Sequence, residues 1–250
     1  MKPLSKSNIT LCLIFSLILL VSYGCATPIN NTVVAGSSHN LPPGMKQIDN
    51  SFWWKCQFRM AWPNNEPNWA VDLLLAHAVV SPVLSQHADN IPYWRFHRRA
   101  ARDDVGHQFT FLFYSSPQIA SSVFAAINKS EVLENTVKAN LLDNVYMNDP
   151  KQPKRPHIGD TSDPTWSSEL QKHWPTFIMG VSSLWLGLIS EDMQHSSQNV
   201  DDINLLLDEY QQVETSLASK WRKEGQHALL HHLSAVFGYQ PMLIKKEIRF

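Results

Sequence analysis

The chain has 250 residues, 21 lysines and arginines against 22 aspartates and glutamates, and a formal net charge of −1. That balance describes a neutral globular surface and excludes bulk nucleic-acid binding, which needs a basic excess or stripe. Three cysteines are too few for a disulfide scaffold, so a core must stabilise the fold, and a chain of this length buries roughly 70% of its unfolded surface.

The chain opens with Lys2 and Lys6 ahead of an apolar run of about thirteen residues, Ile9 to Val21, too short to cross roughly 30 Å of hydrocarbon. It reads as the apolar region of an export signal. The run ends in Ser22-Tyr23-Gly24-Cys25. On these residues the leader resembles a bacterial lipoprotein precursor, in which a small residue precedes a cysteine that is acylated. The motif departs from the family at Ser22, where an aliphatic residue is usual, and at the bulky Tyr23. The resemblance implies that residues 1–24 are a signal peptide and that Cys25 carries the lipid. It further implies that the bilayer is a partner and, with Ala26 following the cysteine, that the protein sits on the periplasmic face of the outer membrane. Cleavage after Ala26 is the alternative, and it gives a soluble periplasmic or secreted protein. Cys12 leaves with the leader, so acylation of Cys25 leaves Cys56 as a lone thiol.

Residues 25–50 are polar and without period, which predicts a flexible tether. From Ser51 to Trp62 the sequence alternates, with Trp54, Cys56, Phe58 and Met60 on one side and Trp53, Lys55, Gln57 and Arg59 on the other, a half-buried strand. Asn64-Asn65-Glu66-Pro67 predicts a helix start, and Pro82 a kink or end. Two strands follow, Pro92 to Ala100 and His107 to Tyr114, joined across Gly106 as a hairpin. Ser115-Ser116-Pro117 caps a helix to about Asn128, and a strand is expected within Glu134 to Met147. The resulting βαββαβ order predicts an α+β, ferredoxin-like sandwich over 51–147, a fold that specifies no activity. A proline-rich loop or linker occupies 148–164. Residues 165–250 are helical in period and pack on the sandwich, with a final strand in 242–250.

Strand parity places Lys55, Arg59, Arg95, His97 and Arg99 on one sheet face, a basic surface on a neutral protein and a candidate site for an anionic ligand or an envelope protein. Acidic side chains of the C-terminal helices, Asp201, Asp202, Asp208, Glu209 and Glu214, are the competing partners for those arginines. Catalysis would need His97 or His107 as acid/base and Asp103 or Asp104 to orient it, with Arg95, Arg98 or Arg99 holding an anionic substrate. His227 and His231 share a helix face, but Ala228 stands where zinc hydrolases carry their glutamate. No metal or cofactor is implied. The expectation is a non-catalytic binding or scaffolding lipoprotein of the cell envelope, with a periplasmic enzyme as the alternative.

Overall fold

The computed structural model describes residues 48–62, 66–194 and 202–241, all within one compact unit. The leader, the tether to residue 47, the helix-capping Asn64 and Asn65, and the final strand of 242–250 lie outside the described residues.

Four strands, β1 (Phe52–Met60), β2 (Tyr93–Ala100), β3 (His107–Ser115) and β4 (Leu142–Met147), form one sheet in the order β2-β3-β1-β4. Every neighbouring pair is antiparallel. The molecule is thus a mixed helix and sheet fold around a four-stranded antiparallel sheet. Register follows the alternation read from sequence: Trp54, Cys56 and Phe58 stand opposite Phe113, Phe111 and Phe109. A slip of one residue would turn this aromatic row to water, so the core holds the register.

Between β1 and β2 a continuous helical stretch runs as α1 (Trp69–Leu74), a π-helical turn over Leu75–Val80, and α2 (Ser81–Gln86). It starts two residues later than the Pro67 start predicted, and Pro82 neither ends it nor follows a break. Proline has no N–H and its ring collides with the carbonyl four residues back, so the widened turn before it removes the conflict. By length and hydropathy this stretch is apolar enough to cross a bilayer. Its apolar residues are instead the core: Leu73, Leu74, Leu75, Ala76 and Val80 are fully buried against the sheet aromatics.

After β3 come α3 (Pro117–Asn128), capped by Ser116, and α4 (Glu131–Lys138), capped by Ser130. Glu134 to Lys138 is therefore helical, and the strand expected within Glu134 to Met147 occupies its last part, Leu142–Met147, after a left-handed turn at Asn140. The C-terminal part supplies α5 (Ser168–Met193) and α6 (Ile203–Gly225), the second capped by Asp202. A π-helical turn, Gln226–His231, carries α6 into α7 (His232–Val236). Helix α6 sets Leu206, Tyr210, Val213 and Leu217 into the same core as α1, and Ser182 of α5 accepts the Phe96 N–H at the outer edge of β2, 3.1 Å away.

Candidate functional site

The five predicted ligand-binding residues share one face of the sheet. Register carries the side containing Lys55, Gln57 and Arg59 onto Thr110 and Leu112 of β3, and from there onto Arg95, His97 and Arg99 of β2. The acidic helix α6 lies elsewhere, packed on α1 behind the opposite face, while α5 runs against β2 and the Ile158–Thr161 turn. Among the described residues, no carboxylate of α6 pairs with these arginines. Part of the face is covered instead by the proline-rich segment. Trp53 Nε1 donates to the Ile158 carbonyl at 2.9 Å, Tyr114 Oη to the Pro156 carbonyl at 2.7 Å, and Arg95 Nε to Thr161 Oγ1 at 2.9 Å. That end is closed, while His97 and Arg59 stay exposed.

The cations of the open end are held in place by neighbours, most of them uncharged. Lys55 Nζ lies 4.9 Å from the centre of the Tyr146 ring, and Arg59 Nη2 donates to the Asp104 carbonyl at 3.0 Å. Arg99 pairs with Asp103 and donates to the Gly106 carbonyl. Among the described residues, none of Lys55, Arg59 and Arg95 forms an ion pair. Burial, with Arg155 close by, pushes the Arg95 pKa down to about 10. Displaced water, then Arg95 and Arg99, lower that of His97. In both, burial is the larger cause and the neighbouring arginines add to it.

The catalytic candidates do not assemble. Asp103 is a turn residue whose Oδ1 accepts from the Val105 and Gly106 N–H groups, and Arg99 together with those bonds holds its pKa down to about 2. Asp104 contributes its carbonyl to Arg59. His97 and His107 fall on opposite faces of the sheet, as their parity requires.

His107 belongs to a cluster that strand parity did not single out. On the core side, Asp72 of α1 is 0% exposed and accepts from His107 Nε2 at 3.0 Å and from Arg98 Nε at 2.7 Å. The Arg98 guanidinium sits 4.8 Å from the Trp69 ring and 4.9 Å from the Trp185 ring. The signal was present in the sequence: one carboxylate inside the apolar run Ala70 to Ala76 must find a charged partner. His107 itself is 1% exposed, with Nδ1 buried and unpartnered, so it has no open cleft in which to exchange a proton with a substrate. Cys56 is buried, and burial raises its thiol pKa, away from nucleophile chemistry. His227, His231 and His232 gather their rings 5.2 to 5.4 Å apart. Among the described residues, no group of three or more His, Cys, Asp or Glu side chains is arranged to hold a metal.

No protein-family model and no curated protein matches the chain. Among solved structures the chain is similar to one described as "Crystal structure of TsrL", at 12% identity and a TM-score of 0.37, over 74% of this chain and 55% of that one. It thus spans about half the length of that chain.

Proposed function

We propose that this protein is an envelope-anchored lipoprotein whose folded body is a non-catalytic binding module, taking an anionic ligand on the open face of its sheet. The carrying observation is the convergence of Lys55, Arg59, Arg95, His97 and Arg99 on one face, with Asp103 the single carboxylate paired to any of them among the described residues. Arginine presents a planar fork of donors suited to carboxylate, phosphate or sulfate, and those held by uncharged partners keep their full charge for a ligand. The β2-β3-β1-β4 antiparallel order, with helices between β1 and β2 and between β3 and β4, supports reading the sandwich as ferredoxin-like. An enzymatic role finds less support, because the histidine that meets a carboxylate is buried and the exposed one meets none.

Titration with heparin oligosaccharide and inorganic pyrophosphate tests the surface. Binding should weaken as salt rises, since charges more than about 10 Å apart are screened at 0.1 M, and the Lys55→Ala/Arg59→Ala double variant should lose about tenfold in affinity. Salt-independent binding, or equal affinity in the double variant, would remove the sheet face from the account. For the anchor, a clickable fatty acid fed to a Gram-negative host should label the parent chain and not Cys25→Ser. An unlabelled parent recovered in the periplasmic fraction would replace the lipoprotein with a soluble one.

A further inference from the structure

On the helical side of the molecule, away from the sheet face, lies a cavity of about 570 Å³, within the range of small-molecule sites. Val181, Leu184, Trp185 and Leu188 of α5 form one wall, and Leu217, Ala218, Trp221 and Leu229 of α6 and its π-helical continuation form the other. Along α6 the lining runs from Glu214 to Leu229, about 20 Å at 1.5 Å per residue, so the space is a slot rather than a round pocket. Val181, Leu184 and Trp221 stay exposed along it, Trp221 at 60%. Apolar side chains concentrated around a concavity mark an interaction site rather than ordinary surface.

One charged group belongs both to this slot and to the interior. Arg98 lines the cavity with its side chain 29% exposed, braced between the Trp69 and Trp185 rings and tied through Nε to buried Asp72. Its Nη2 reaches the Trp69 carbonyl at 3.4 Å, and Nη1 has no partner among the described residues. A purely hydrocarbon occupant would strip water from those N–H groups and give nothing back. An oxygen acceptor there completes the fork. The other cation, Lys220, has its ammonium on both Asp192 oxygens at 2.8 Å and on Ser216 Oγ at 2.7 Å, so its three donors are used. Arg98, although tied to Asp72, keeps Nη1 for a ligand. Glu214 and Glu224 also line the slot without an ion pair among the described residues, a repulsion that falls on any anion and grows with its charge, so it weighs less on a singly charged carboxylate than on a phosphate monoester.

We infer that the α5–α6 slot binds a single-chain amphiphile, an acyl chain ending in a carboxylate, with the carboxylate on Arg98 and the chain lying between Val181, Leu184, Leu217 and Trp221. This site is independent of the anionic-ligand surface on the sheet. The test is a fluorescence titration of the exported Cys25→Ser chain, which carries no acyl group of its own, with the polyene fatty acid cis-parinarate. Saturable one-to-one binding is expected. Ala218→Trp and Val181→Trp, which fill the slot from either wall, should each weaken it by about tenfold while keeping the parent's thermal melting. Arg98→Lys should weaken carboxylate binding and retain the link to Asp72. Palmitate should displace the probe; dodecyltrimethylammonium and pyrophosphate should not. Absence of saturable binding, equal affinity in both filled variants, or displacement by the cationic amphiphile as readily as by palmitate would each overturn the assignment.

Discussion

Asp72 holds two donors at once, the Arg98 guanidinium and the His107 ring, in a position with no access to water. A carboxylate so placed is tolerated because its oxygens are satisfied, and removing it strands the groups it served. Asp72→Ala should therefore destabilise the fold by about 3 to 5 kcal/mol, measured as a lower urea midpoint, the range found when one partner of a buried pair is deleted. Asp103→Ala, at an exposed turn where solvent screens its bonds to Arg99 and the Val105 and Gly106 N–H groups, should lower that midpoint much less. If both variants unfold at the parent's midpoint, the buried cluster contributes no stability. Arg98 sits at the same strand parity as Trp94 and Phe96, so alternation alone classifies it with the core residues. What makes it tolerable there is the unlike charge supplied by α1, a partner 26 residues earlier that no local pattern reveals.

At the scale of elements, legibility tracked how much of each segment is buried in a regular pattern. β1 buries alternate large side chains and its period of two was plain, while β3 is buried on nearly every residue and was legible from its run of phenylalanines at every second position, Phe109, Phe111 and Phe113. The same parity brought out the basic face, since residues opposite a buried row must share the other side. Helix α4 buries only Val132, Leu133 and Thr136 of its eight residues, which is too short a stripe to declare a helical period. Its ends were the available signal: Ser130 accepts from the Leu133 N–H as a cap, and Asn140 takes the left-handed conformation that closes the chain before β4. The π-helical turn ahead of Pro82 was illegible for a different reason. A proline in a helical pattern announces a conflict without saying whether the helix breaks, bends or widens, and burial of Val79, Val80, Val83 and Leu84 on both sides of it favours keeping the helix whole.

In the whole molecule, the sheet separates two chemistries. One face carries cations and is partly covered by the segment that follows β4; the other carries the aromatic core, with α1, α6 and the edge-covering α5 beyond it. Sequence parity could assign residues to faces but not say what covers each face. The acidic C-terminal helices were plausible partners for the arginines by charge alone. The apolar stripe of α6, Leu206, Tyr210, Val213 and Leu217, took it to α1 instead, and among the described residues the basic face was left to Ile158, Pro156 and Thr161 at one end and stays open at the other. The most direct measurement is heteronuclear NMR mapping of backbone amides during titration with pyrophosphate. Binding on the sheet face predicts saturable shifts confined to Lys55, Gln57, Arg59, His97, Arg99, Thr110 and their strand neighbours. Shifts centred on α5 and α6 with β1 to β3 unmoved, or no saturable shift at all, would contradict it.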